Sequence, residues 1–211
     1  MITLYTWKTP NGRKPAIMLE ETGLAYEVRP VDISADQQFE PDFLAISPNN
    51  KIPAIIDRDG EGGAVTLFES GAILTYLADK TGKLLPASGQ ARWDALAWLH
   101  WQIGGLGPML GQLGFYAVRS KEKAPLAIDR FKKEGERLIG VMERRLTQFP
   151  YLGGPDYGIA DIAAYPWVAA ARSTMGEALG AALTGSPAVR DWLDRVGERP
   201  AVRKGMAVLE G

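Results

Sequence analysis

Two short runs carry most of the chemistry open to this chain. The first is Ser47-Pro48-Asn49-Asn50-Lys51-Ile52-Pro53-Ala54-Ile55, a polar loop that ends in a proline and enters an apolar strand. The second begins fourteen residues on, at Glu69-Ser70-Gly71-Ala72-Ile73, an acid and a hydroxyl at the start of a helix. Between them Asp59-Gly60-Glu61-Gly62-Gly63 reads as a turn joining two short strands. A strand-entry backbone can pair with an extended peptide. A helix N-terminus offers free N–H groups and partial positive charge to a carboxylate. Together they suit a small zwitterionic peptide held by its backbone and its carboxylate. The chain has no cysteine, so any thiol chemistry must use a thiol that the ligand brings.

The elements that must position these runs can be read from pattern. Ile2 to Tyr5 is a short β-run, and Gly12 to Gly23 reads as a helix with Pro15 in its first turn and Gly23 as its stop. Tyr26 to Ile33 alternates as a second strand, and Asp42 to Ile46 forms a short helix. Ala54 to Asp57 and Val65 to Phe68 form a hairpin, and Glu69 to Thr81 is a helix ended by Gly82. The order is that of an α/β domain on one mixed sheet, residues 1–84. Pro86 to Gly89 is a linker. Residues 90–211 carry no strand signal and read as an all-α domain. Ala91 to Ala117 is helical, with Trp93, Leu96, Ala97, Trp101 and Gly104 along one face and a kink expected at Gly104-Gly105-Leu106-Gly107-Pro108. Pro125 to Phe149 has a clean helical period through Ile128, Phe131, Leu138, Met142, Leu146 and Phe149. Ile159 to Arg172 is a helix with Pro166 inside it, and Val189 to Val196 and Ala201 to Leu209 are two further short helices.

Composition narrows the function. With 211 residues, 46% apolar and 23% charged, and a net charge of −1, the chain is an ordinary globular protein without the basic surplus that nucleic acid requires. The absence of cysteine removes disulfides, thiolate metal sites and a cysteine nucleophile. The one histidine, His100, leaves no basis for a histidine metal site and little for a Ser-His-Asp triad. His100, flanked by tryptophans, reads as a buried helix residue. Met1 to Tyr5 is too short and strand-like for a leader, and no apolar run approaches a membrane span. The expected location is the cytoplasm, with no metal, nucleic acid or membrane as partner.

A β-α-β, α, β-β-α unit joined to an all-helical domain resembles the cytosolic glutathione transferase family over essentially the whole chain. The motifs that carry the resemblance are Ser47-Pro48-Asn49-Asn50-Lys51-Ile52-Pro53, Glu69-Ser70-Gly71-Ala72-Ile73-Leu74-Thr75-Tyr76-Leu77 and Tyr157-Gly158-Ile159-Ala160-Asp161-Ile162. Thr9-Pro10-Asn11-Gly12 and Trp101-Gln102-Ile103-Gly104-Gly105-Leu106-Gly107-Pro108-Met109 are similar to the bacterial nu-class enzymes, which reduce disulfides with glutathione. The resemblance implies a thioredoxin-like N-terminal domain, an all-helical C-terminal domain that walls the second-substrate site, glutathione as bound co-substrate, and a homodimer.

It also implies roles. The bond between Ile52 and Pro53 is cis in the family, and the backbone before it pairs with the cysteinyl part of glutathione. Ser70 and Glu69 meet the γ-glutamyl carboxylate and amine, and Gln38, Asn50 and Lys51 the glycyl end. Thr9 and Asn11 line the sulfur. A free thiol has a pKa of about 8.5, and lowering it by two units takes roughly 2.7 kcal/mol. One or two hydrogen bonds at a helix start can supply that. Arg130 is placed near the ligand. Phe115 and Tyr116 are candidates to meet an apolar co-substrate, and Trp7 and Lys8 to shape its pocket. Tyr5 lies within the strand and reads as a packing residue rather than the thiol donor. Phe39, Phe43 and Trp93 are candidates for a dimer interface. Gly158 stands where the family carries Ser or Thr, so Asp161 alone is left to reach back to the helix start, a folding role.

The activity implied is thiol–disulfide exchange by bound glutathione thiolate. Conjugation of glutathione to an electrophile needs the same thiolate and remains an alternative. So does a non-catalytic glutathione-binding regulator, as in a fungal relative.

Overall fold

The computed structural model describes residues 1–210. Its strands are β1 (Ile2–Thr6), β2 (Tyr26–Pro30), β3 (Ala54–Asp57) and β4 (Val65–Phe68), in the spatial order β2-β1-β3-β4. β1 and β2 are parallel and are joined by α1 (Pro10–Thr22), whereas β3 is antiparallel to both β1 and β4. The hairpin falls on the residues that the Gly-rich turn assigns to it. A short α2 (Pro41–Leu44) lies between β2 and β3, and α3 (Ser70–Thr81) comes after β4. This is the mixed α/β sheet of a thioredoxin-like domain.

Two boundaries differ from the sequence reading for local reasons. α1 begins two residues early because Thr9, not Gly12, caps it, its hydroxyl accepting from the Gly12 N–H at 3.1 Å. Pro15 therefore sits in the second turn. β2 stops at Pro30 because Asp32 turns the backbone, its carboxylate accepting from the Ser34 N–H at 2.8 Å. Two 3-10 turns, Ile33–Ala35 and Gln37–Phe39, then lead toward α2.

By contact the chain divides into two units, Met1–Leu85 together with the segment from Arg199, and Pro86–Glu198. The last helix thus belongs with the sheet rather than with the helical domain that the sequence pattern assigns to residues 90–211. α1 holds it. Arg199 makes a bidentate pair with Glu21 at 2.7 and 2.8 Å, and Lys204 meets Glu20 at 2.8 Å. Gly205 lies so close that a Cβ there would stand 2.5 Å from the Ile17 backbone.

The second unit contains no strand among the described residues. Its helices are α4 (Gly89–Trp101), α5 (Gly107–Leu113), α6 (Pro125–Leu146), α7 (Ile159–Thr174), α8 (Gly176–Thr184) and α9 (Pro187–Gly197), and α10 (Pro200–Met206) is the helix returned to the first unit. The kink expected before Pro108 takes the form of a π-helical segment, Gln102–Leu106, with a second at Gly114–Arg119. Proline has no N–H to give to Gly104, and the Gly107 N–H bonds instead to the Gln102 carbonyl. The stripe read as one face of this stretch faces outward at Trp93, Ala97 and Gly104, and the buried side is Ala95, Leu99, Gln102 and Leu106. α8 escapes the sequence reading, because two glycines and a run of alanines leave only Leu179 and Leu183 to mark its buried face.

Asp161 is the polar centre of this unit. It is fully buried on α7, where it accepts from the Leu152 N–H at 2.9 Å, the Gly158 N–H at 3.1 Å and the Trp192 indole N–H at 2.8 Å. It reaches back to the helix start as the sequence requires, and it also ties α9 and the loop before α7 to the same carboxyl. Burial raises its pKa to about 6 against the pull of those donors. Glu143 does similar service for α9, accepting from the Ala188 and Val189 N–H groups at 3.1 and 2.9 Å. Asp161→Ala would strand three buried donors. At about 1–3 kcal/mol for each, partly relaxed, it should cost about 3–5 kcal/mol in urea denaturation. Trp192→Phe, which removes one donor but keeps the carboxylate, should cost less.

Candidate functional site

The strand register gathers the predicted residues at one edge of the sheet. Thr6 faces Pro30, Tyr5 faces Ala54, and Ala54 faces Phe68. The chain therefore leaves β1, β2 and β4, and enters β3, at the same end. Thr9 and Asn11 come after β1, Gln38 after β2, and Glu69 and Ser70 after β4, while Asn50 to Pro53 precede β3.

Each segment is shaped locally. The close turn from β1 into α1 needs glycine at position 12, where a Cβ would collide with the Trp7 carbonyl and the Thr6 hydroxyl. That hydroxyl donates to the Gly12 carbonyl at 2.9 Å. Thr9 and Asn11 are half-buried at the start of the helix so formed. The loop before β3 is folded on Ser47, whose buried hydroxyl donates to the Lys51 carbonyl at 2.8 Å while its carbonyl accepts from the Asn50 N–H at 2.9 Å. Asn50 adopts φ 49°, a conformation that asparagine tolerates better than most residues. The Ile52–Pro53 bond is cis. Ile52 lies outside the ladder, which begins at Ala54, and packs against the cluster of Val31, Phe43 and Ala54. Lys51 is exposed. Gln38 donates to Asp36 at 3.3 Å, and its Oε1 is buried without a hydrogen bond.

Glu69 stands at φ 68°, ψ 114°, a conformation that costs a non-glycine residue about 1–3 kcal/mol. Its side chain makes no capping bond to α3, and its carboxylate is exposed. The simple capping role open to Glu69-Ser70 is thus not taken up. Ser70, the first residue of α3, is buried, and behind its hydroxyl lies a group that the motif reading missed. Lys14 Nζ donates to Ser70 Oγ at 3.3 Å. Lys14 is 1% exposed, and burial lowers its pKa to about 7 although the nearby Glu69 charge opposes this. The signal for it was its position on α1, on the same face as Ile17 and Met18, both fully buried.

The other candidate residues have these surroundings. Tyr5 packs in the first unit, its ring 6.3 Å from that of Phe43. Phe43 is 5% exposed and belongs to this core, which removes it from any interface. Phe39 and Trp93 are 55% and 65% exposed. Trp7 is half-buried and Lys8 exposed. In the second unit Arg130 is exposed on α6, Phe115 is exposed, and Tyr116 stacks on Phe131 at 5.8 Å. His100 is exposed on α4 rather than buried, because the apolar side of that helix runs through Ala95 and Leu99. Among the described residues no cluster of acidic or histidine side chains could hold a metal ion, and no helix is long and apolar enough to cross a membrane.

Comparison with known proteins agrees with this geometry. Residues 1–79 match the model of the glutathione S-transferase N-terminal domain, and residues 125–195 that of the C-terminal domain. The chain is 47% identical to the disulfide-bond oxidoreductase YfcG of Escherichia coli, over all of this chain and 95% of that one. A glutathione transferase family member from Pseudomonas fluorescens, solved with two glutathione bound, superimposes with a TM-score of 0.93 at 43% identity, covering 97% of this chain and 92% of that one. One from Pseudomonas putida, with one glutathione disulfide bound per subunit, gives 0.93 at 42% identity, covering 98% and 91%.

The cap geometry sets a test on the unliganded protein. Thr9→Ala should lower stability by about 1 kcal/mol and Thr9→Gly by only a few tenths, read from chemical denaturation.

Proposed function

Because the chain belongs to the glutathione transferase family, we propose that it is a glutathione-dependent disulfide reductase. The observation that carries this reading is the convergence of Thr9, Asn11, Ile52 and Glu69-Ser70 at one sheet edge in a chain without cysteine. The Ile52 backbone pairs with the cysteinyl backbone of glutathione. Ser70 and the free N–H groups of α3 receive the γ-glutamyl carboxylate, and Glu69 its amine. Gln38, Asn50 and Lys51 hold the glycyl end, with the buried Gln38 Oε1 as a ready acceptor. Thr9 and Asn11 stabilise the sulfur as thiolate. Residues 1–84 form the glutathione-binding domain, and the helical residues from 90 select the second substrate, with Phe115 and Tyr116 as its contacts, while Arg130 adds a glutathione-binding side chain from α6.

In the reaction the bound thiolate attacks one sulfur of a disulfide and expels the other as a thiolate, leaving a mixed disulfide with glutathione. A second glutathione thiolate attacks the glutathione sulfur of that mixed disulfide. Glutathione disulfide and a second thiolate leave, and no protein atom is modified. The protein supplies binding, alignment and thiolate stabilisation. It acts in the cytoplasm as a homodimer, and exposed Trp93 and Phe39 are its interface residues.

The test is reduction of a small model disulfide with glutathione, run beside conjugation to a chloronitrobenzene. Disulfide reduction should dominate. Asn11→Ala and Thr9→Ala should each lower it roughly tenfold to a hundredfold, the worth of one hydrogen bond to a charged sulfur. Tyr5→Phe should leave it unchanged. Dominant conjugation that Tyr5→Phe abolishes would overturn the sulfur assignment, and glutathione binding with neither activity would favour a regulatory module. In sedimentation velocity the protein should run as a dimer and Trp93→Glu as a monomer.

A further inference from the structure

Lysine is almost never fully buried unless something nearby uses its charge. Lys14 is 1% exposed, on the face of α1 that carries Ile17 and Met18. Its ammonium reaches the Ser70 hydroxyl, itself 6% exposed, at 3.3 Å. We propose that Lys14 is the positioning cation of the carboxylate subsite, fixing the Ser70 hydroxyl and drawing the α-carboxylate of the γ-glutamyl group to the start of α3. This rests on the glutathione reading above and adds to it a residue that no binding motif contains.

Donors and acceptors set the direction of each bond. An ammonium only donates, whereas a hydroxyl has one proton and two lone pairs. With Nζ donating into a lone pair of Ser70 Oγ, the serine proton is left to point at an acceptor elsewhere. A carboxylate at the N-terminus of α3 is such an acceptor, and it would also feel the ammonium charge through one intervening atom in a low-dielectric setting. The unliganded protein already supplies a weaker version of that field, since Glu69 is the charge that holds up the Lys14 pKa against burial.

On α3, packed against α1, Lys80 pairs with Asp57, the Tyr76 hydroxyl donates to Asp57, and Asp79 is exposed. From α10, Arg199 and Lys204 are bonded to Glu21 and Glu20, and Arg203 is exposed. Beyond that helix Glu210 pairs with Arg13. From β1 the titratable side chain is Tyr5, which packs with Phe43. Lys14 titrates at about 7 before the ligand arrives. A second negative charge beside it favours the ammonium, so ligand binding above that pH draws a proton onto Lys14.

The test uses the full chain and isothermal titration calorimetry with two ligands. These are glutathione and γ-aminobutyryl-cysteinylglycine, which lacks only the α-carboxylate of the first residue. Lys14→Met should weaken glutathione at least tenfold and leave the affinity for the analogue equal to that of the unaltered protein. Circular dichroism should show the variant folded like the unaltered protein. In buffers of different ionisation enthalpy at about pH 8, the variant should show only the proton released as the bound thiol ionises, and the unaltered protein should release a fraction of a proton less per glutathione bound, the difference being the proton taken up at Lys14. Equal glutathione affinity of the two proteins, or equal loss for both ligands, would overturn the proposal. So would equal proton exchange by the two proteins on binding glutathione. Failure of the unaltered protein to bind glutathione at all would instead bring down the glutathione reading on which this one stands.

Discussion

The placement of β3 between β1 and β4 is the constraint on which the rest of the first unit depends. Antiparallel pairing of Tyr5 with Ala54 and of Ala54 with Phe68 fixes which ends of three strands coincide, and the parallel pairing of Thr6 with Pro30 adds the end of β2. Every residue of the first unit proposed to bind glutathione is carried on the segments that leave or enter the sheet there. Register in such a sheet is strongly specified, because a slip of one residue would turn the buried Leu4 and Ile55 outward. The site thus inherits its geometry from core packing rather than from contacts among the site residues. That is also what allows an exposed loop such as Asn49 to Lys51 to hold a defined position, since Ser47 anchors it from a buried place.

The proposed chemistry asks little of the protein beyond position and field. No side chain here can act as a thiol, so the reacting sulfur enters with the ligand. The protein's task is to favour its ionised form and to keep it aligned. Two helix starts point at the same sheet edge, that of α1, capped by the neutral Thr9, and that of α3, whose N-cap Glu69 makes no side-chain bond to it. Beneath one of them the fold keeps a lysine in a place where burial disfavours its charge. Natural sites often carry such locally unfavourable groups, set within a scaffold stable enough to tolerate them. The helical unit meets its own polar requirement differently, by satisfying three donors with the single carboxyl of Asp161.

Much of this was legible from pattern because the signals were local. The hairpin was marked by its glycines, α6 by an unbroken period, and the runs around Pro53 and Ser70 by residue types that suit a bound peptide. Elements were missed where the local signal is weak. α8 is built of small residues with little contrast between its faces, and its existence rests on what Leu179 and Leu183 pack against. His100 and Phe43 were misplaced for a related reason: α4 is apolar around most of its circumference, and a phenylalanine in a four-residue helix gives no sign of which way it faces.

The sequence by itself determined the family, the α/β and all-helical halves, the absence of a protein thiol and the residue types at the binding runs. These depend on composition and on spacings of a few residues, which survive without coordinates. Only the tertiary structure decided that the last helix returns to the sheet, that Glu69 is held in a strained conformation instead of capping α3, and that Lys14 lies buried behind Ser70. The physical reason is the same in each case. Lys14 and Ser70 are 56 positions apart and Gly205 and Ile17 farther still, and the burial of a charge is set by packing across such distances, which no local pattern records.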